Sequence, residues 1–174
     1  MSVILLKGIN VGKGNRFDTK NFAKELSSSV GLEFFSYLAS GNFYSKKDMK
    51  SNQLLAEINL LSKKYSLKTL PIVLNNSDFI KSVENIPEFD KNSNPSHIIA
   101  YYSNQIYKKK IFIELESIFK KEKAILKQNV LYINYRDSIA ISKITTNEID
   151  KIFNIQCTGR NLNTIRKIQD FLIK

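Results

Sequence analysis

Apolar residues fall in this chain at two spacings, as short unbroken runs and at every third or fourth position. The alternation of the two predicts its elements. Val3-Ile4-Leu5-Leu6 is a short apolar run ended by Gly8, as expected of a strand covered on both faces. Phe22, Leu26 and Val30 recur at every fourth position and mark one helix face. Asp18 stands where an N-cap belongs, Phe17 and Phe22 have the spacing of a hydrophobic staple, and Gly31 is a C-terminal stop. Leu32 to Leu38 is aromatic and apolar, hence strand-like, and Ser40-Gly41-Asn42 turns the chain back into Phe43-Tyr44 as a hairpin. Leu54, Ile58, Leu61 and Tyr65 line a second helix. Leu67 to Leu74 reads as the next strand, and Pro71 within it suits a sheet edge, where a missing N–H is harmless. A short helix over Ser77 to Ile86 is stopped by Pro87, and the polar stretch Glu88 to Ser96 reads as a linker.

The same order recurs less clearly beyond it. His97 to Tyr102 is a strand, and Ile111, Leu115 and Ile118 have helical spacing. Ala124 to Gln128 and Val130 to Tyr135 pair about Gln128-Asn129. Thr145 and Glu148 form a capping box with Ile144 and Ile149 as its staple. Ile155 to Thr158 is a short last strand, and Ile165, Ile168 and Leu172 face inward on a closing helix. The β-α-β-β-α-β order is the split βαβ pattern. The predicted fold class is therefore α+β: two tandem ferredoxin-like (alpha-beta plait) halves, residues 1–90 and 91–174. The repeat is one of element order, not of residues.

Composition changes this picture little. The 174 residues are 43% hydrophobic and 25% charged, ordinary for a globular chain. No apolar run approaches the roughly 20 residues of a membrane span, and no basic segment leads into a long apolar one, so neither a span nor a leader is expected. Cys157 is the single cysteine and cannot form an internal disulfide, which points to the cytoplasm.

Charge is uneven. Through residue 90 there are 12 Lys and Arg against 9 Asp and Glu, and beyond it 15 against 7. A basic second half could attract nucleic acid or an acidic metabolite. Only Arg16, Arg136, Arg160 and Arg166 are arginines, however, and lysines usually decorate solvated faces.

The glycine-rich turn from Gly8 to Gly14 resembles a phosphate loop but has the wrong spacing. Gly8 and Gly12 are separated by three residues instead of four, and Lys13 is followed by Gly14. The dinucleotide pattern fails because Phe17 stands where its last glycine belongs. No cofactor is expected. One histidine, His97, and one cysteine exclude a zinc site of His/Cys type. Asp48, Asp78, Glu84 and Asp137 are scattered and suggest no acid–base pair. Phe34, Phe35, Tyr37, Phe43 and Tyr44 could stack bases, as on an RNA-recognition sheet, but the alternating Gly/Phe/Val/Phe signature is missing and most of these rings are expected in the core.

The densest polar stretch is Cys157 to Thr164, just before the last helix. Arg160 could grip a carboxylate or phosphate with two parallel hydrogen bonds, while Asn161, Asn163 and Thr164 could orient the same ligand.

Three segments together resemble a known bacterial family: Leu5-Leu6-Lys7-Gly8-Ile9-Asn10-Val11-Gly12, Tyr37-Leu38-Ala39-Ser40-Gly41-Asn42 and Thr158-Gly159-Arg160-Asn161-Leu162-Asn163-Thr164. It is the family called domain of unknown function 1697. The resemblance implies two tandem alpha-beta plait domains and supplies no activity. The chain departs from the pattern at Leu162, where the family usually has tryptophan, at Leu6-Lys7 (usually Leu-Arg) and at Leu38-Ala39 (usually Ile-Gln).

The expected function is binding of a small anionic ligand at polar turns, with catalysis undecided. The expected ligand residues are Asn10, Ser40, Asn42, Arg160, Asn161, Asn163 and Thr164, with Arg160 as the anion anchor. The turn after the first strand and the hairpin turn are expected at or near opposite ends of the sheet. A nucleic-acid-binding module is the second reading, and a partner docked at the sheet edge near Pro71 the third.

Overall fold

The computed structural model describes residues 2–10, 17–90, 92–115 and 121–174. Val11 to Gly14 of the glycine-rich turn and Ile118 lie outside them. Contacts divide the chain into two units, Met1–Ile80 with Asp170–Lys174, and Lys81–Gln169.

In the first unit the elements run β1 (Ser2–Leu6), α1 (Thr19–Val30), β2 (Phe35–Tyr37), β3 (Asn42–Ser45), α2 (Ser51–Lys64), β4 (Pro71–Asn75) and the start of α3 (Asn76–Glu84). The four strands form an antiparallel sheet in the order β2-β3-β1-β4. The central strands β1 and β3, each with a strand on both sides, are buried along their whole length. Ile4, Leu6 and Phe43 meet Phe22 and Leu26 of α1 and Leu54 and Ile58 of α2 in one core. Each such side chain contributes about 1.5–3 kcal/mol by leaving water.

Helix α1 starts and stops where its sequence dictates. The Asp18 carboxylate accepts from the N–H groups of Lys20 and Asn21, both at 3.0 Å, and satisfies two of the first orphan donors. Phe17 and Phe22 meet edge to face at 5.2 Å as the staple, and Gly31 ends the helix at φ 67°. Both outer strands are shorter than the apolar runs suggest. Leu32 and Leu67 pack against the core from the connecting segments instead of joining the ladder. Pro71 is the first residue of the edge strand β4, where its lack of an N–H costs nothing.

The second unit continues with the end of α3, then β5 (Ile98–Ser103), α4 (Lys109–Leu115), β6 (Lys123–Lys127), β7 (Val130–Asn134), α5 (Thr146–Phe153), β8 (Cys157–Asn161) and α6 (Leu162–Ile173) as far as Gln169. Its sheet is antiparallel in the order β6-β7-β5-β8. Tyr101, Leu131 and Ile133 of the sheet pack with Ile149 and Phe153 of α5 and with Cys157. Ile144 and Ile149, the expected staple, are both in this core. The capping box is half made: Thr145 Oγ1 accepts the Glu148 N–H at 3.3 Å, while the Glu148 carboxylate takes Lys151 at 2.8 Å.

Two expectations change here. The last strand runs Cys157–Asn161, later than Ile155 to Thr158, because the polar Thr158-Gly159-Arg160 pairs with Tyr102, Tyr101 and Ala100. The stretch expected as a linker packs into the second unit. Asn134 donates to Ser93 Oγ at 2.8 Å, and the Leu162 N–H donates to the Pro95 carbonyl at 3.2 Å.

Five buried tyrosines tie this unit together. The Tyr135 hydroxyl donates to the Ile144 carbonyl at 2.8 Å, so Tyr101 is the donor in the 2.6 Å Tyr101–Tyr135 pair. Tyr107 donates to the Tyr101 carbonyl, Tyr132 donates to the Ser82 carbonyl, and Tyr102 shares a hydrogen bond with the Ser82 hydroxyl. Burial raises every one of these phenols, Tyr101 to about 12.

Candidate functional site

The turn after β1 and the hairpin turn lie at the same end of the first sheet, contrary to expectation. β3 pairs antiparallel with β1, and Leu5 is opposite Asn42, so the end of β1 abuts the hairpin that opens β3. The Leu6 N–H donates to the Gly41 carbonyl at 2.8 Å.

Asn10 occupies the left-handed region at φ 54°, which asparagine tolerates. Its amide clasps three backbone groups: Oδ1 accepts the Phe17 N–H at 2.7 Å, and Nδ2 donates to the carbonyls of Ala39 at 2.6 Å and Phe17 at 3.2 Å. The fully buried Asn42 donates to the Tyr37 carbonyl at 2.8 Å and to Ser40 Oγ at 3.0 Å. These three expected site residues thus come together as the stitching between two turns. Asn10→Ala is expected to cost about 2 kcal/mol, since it removes three hydrogen bonds of about 0.5–1.5 kcal/mol each. Urea denaturation measures it, and a loss below about 0.5 kcal/mol would contradict the clasp.

Arg160, Asn161, Asn163 and Thr164 belong to the second unit. Arg160 sits buried on β8, with Nη1 donating to Thr158 Oγ1 and to the Gly159 carbonyl, both at 2.8 Å. Burial lowers its pKa to about 10, opposed by the neighbouring Tyr102. Asn161 Oδ1 accepts the Thr164 N–H at 2.8 Å and caps α6. Thr164 is buried and Asn163 is exposed. Arg160 and Asn161 are thus bonded within β8 and the start of α6.

The second unit also carries an open pocket of about 390 Å³ that motif reading did not find. Val83, Ile86, Phe89, Ile98 and Leu162 supply its apolar surface, and Glu84, Glu88, Asp90 and Arg166 its charges. It forms because the residues after α3 pack beside β5 and the start of α6. Leu162, the position where the resembled family usually has tryptophan, is one of its walls. Glu84 appeared in the sequence only as a scattered carboxylate; most of its pocket neighbours follow it within fourteen residues, and only Leu162 and Arg166 come from a distant segment. Among the described residues no cluster of His, Cys, Asp and Glu could hold a metal ion, and no helix is long and apolar enough to cross a membrane.

The molecule is thus an α+β protein with two four-stranded antiparallel sheets and a candidate ligand pocket in its second unit. The chain matches the family described as "Protein of unknown function (DUF1697)" over residues 1–132 and belongs to it. Among solved structures it is similar to "conserved bacterial protein SP0830 from Streptococcus pneumoniae", with a TM-score of 0.75 and 24% identity over 99% of this chain and 98% of that one. That likeness speaks for the fold. No curated protein matches the chain.

Proposed function

We propose that this chain is a small-molecule-binding protein whose ligand occupies the pocket of the second unit. The observation that carries the reading is the pocket itself. Its size lies within the usual range for small ligands, and it combines apolar walls with a few charged groups. The anionic-ligand expectation is kept in part. Arg166 can hold a carboxylate or phosphate by two parallel hydrogen bonds. Glu84, Glu88 and Asp90 outnumber it and favour a positively charged nitrogen on the same ligand. The ligand class is therefore a small zwitterion with an apolar portion, such as an amino-acid-like or peptide-like molecule. The anchor assigned here is Arg166. Arg160 is engaged on its own strand.

Strand orders β2-β3-β1-β4 and β6-β7-β5-β8, each in a βαββαβ succession, support assigning both units to the ferredoxin-like fold.

The test is a thermal-shift panel of amino acids, dipeptides, plain amines, carboxylates and phosphates on wild type, Arg166→Ala and Glu84→Gln/Glu88→Gln. A zwitterion at a hundred times its dissociation constant is expected to stabilise wild type by about 2.7 kcal/mol. Both variants are expected to lose that shift. A panel without any shift, or one equal in all three proteins, would remove the pocket reading.

A further inference from the structure

We infer that the outer edge of the first sheet is a stacking platform for single-stranded nucleic acid. The feature that points to it is a run of rings ending in solvent. Tyr44 on β3 stacks on Phe171 with centroids 5.2 Å apart and planes at 6°. Phe35 on the edge strand β2 stacks on Tyr44 at 5.5 Å and 26°. Tyr37 meets Phe171 edge to face at 5.6 Å. Phe35 and Tyr37 are two residues apart on one strand, so their rings share a face at a spacing of about 7 Å. Tyr44 is buried within the stack, whereas Phe35 at its end is 40% exposed, and Leu38 in the hairpin turn after β2 is 54% exposed. A ring held in place by stacking and open to solvent costs little further entropy when a base joins it, and any base offers a face to it.

The charges beside the rings select the occupant. β3 ends at Ser45, and the bend after it carries exposed Lys46 and Lys47 with Lys50 just beyond; the acidic residues nearest along the chain are Asp48 in this segment, Glu33 before β2 and Asp170 beside Phe171. A second copy of the chain would bring its own net charge of +11 to this edge and be repelled, whereas a polyanion is attracted. Strand addition by a peptide is disfavoured because β2 is only three residues long. The rings belong to the first unit, Phe171 through the last residues of α6, whereas the pocket residues Leu162 and Arg166 at the start of that helix belong to the second.

Fluorescence anisotropy with labelled U12 RNA and T12 DNA at 50 and 200 mM salt tests the inference. The chain has no tryptophan, so Phe35→Trp adds a single reporter at the exposed end of the stack. Binding of at least one oligonucleotide is expected, with quenching of the Phe35→Trp fluorescence on titration. Phe35→Ala is expected to weaken binding about tenfold, within the roughly 1–3 kcal/mol that a base–aromatic stack contributes. Lys46→Glu/Lys47→Glu is expected to reduce the salt slope by about 1.4, from 0.7 per lost phosphate contact on a single strand. The RNA and DNA arms identify which strand is preferred. Absence of binding at 50 mM salt, equal affinity in Phe35→Ala, or binding without quenching would each overturn the platform. So would a fluorescence change with protein concentration alone, which would mark the edge as a contact between copies.

Discussion

Raising the pH above 10 is expected to unfold the second unit, with its five buried tyrosines ionising as it opens. Phenols ionise near pH 10 in an unfolded chain, and burial raises Tyr101, Tyr102, Tyr107, Tyr132 and Tyr135 above that value. A raised pKa means that the folded state holds its proton longer. The stabilising effect is complete below pH 10 and is lost as pH climbs through the folded values. Tyr101, raised to about 12, loses about 2.7 kcal/mol over that interval, at 1.36 kcal/mol per unit. Arg160 works in the other direction. Its pKa is lowered to about 10, so its burial penalty is relieved as it loses its proton above pH 10. One cation set against five phenols leaves a large net loss. Absorbance at 295 nm and far-ultraviolet circular dichroism, followed together from pH 8 to 12.5, check this. A cooperative rise in tyrosinate coincident with loss of ellipticity is expected. Smooth titration of all eight tyrosines near pH 10 with the ellipticity intact would contradict the buried network.

Alanine at Gly41 and at Gly8 forms a matched pair with unequal outcomes. Both glycines sit in the left-handed region, at φ 75° and 72°. Either alanine therefore carries a backbone strain of about 1–2 kcal/mol. At Gly8 nothing lies within 4 Å of the added Cβ, and the cost ends there. At Gly41 the added Cβ would lie 2.9 Å from Leu6 Cβ and 3.2 Å from Ile9 Cγ1. Leu6 Cβ moves only with the buried backbone of β1, so overpacking adds about 1–3 kcal/mol. Chemical denaturation is expected to give about 3 kcal/mol for Gly41→Ala and about 1 kcal/mol for Gly8→Ala. Equal losses would show that the two turns do not touch.

A third glycine has a role that its sequence context hides. Gly159 faces the core of the second unit, where a Cβ would lie 2.7 Å from Ile99 Cγ2 and 2.8 Å from the Tyr101 ring. In the sequence it reads as part of a polar loop; in the fold it makes room for the ring that anchors the tyrosine network.

The sequence determined the elements whose cause is local. Asp18, the Phe17–Phe22 staple and Gly31 bound α1 through contacts within a few residues, and the βαββαβ order follows from the succession of apolar spacings. Polar turns were legible as positions, but not as roles. An asparagine in a turn looks the same whether its amide holds a ligand or, as for Asn10, a backbone 29 residues away. Which ends of strands meet is set by antiparallel pairing, and that brought the turn of Asn10 to the hairpin turn, which was expected at or near the opposite end of the sheet. The pocket and the ring stack also arise only in the tertiary structure. Glu84 and Arg166 are 82 residues apart, and Tyr44 and Phe171 are 127 residues apart. No periodicity along the chain records a contact whose entropy of closure is offset only by packing of the finished fold.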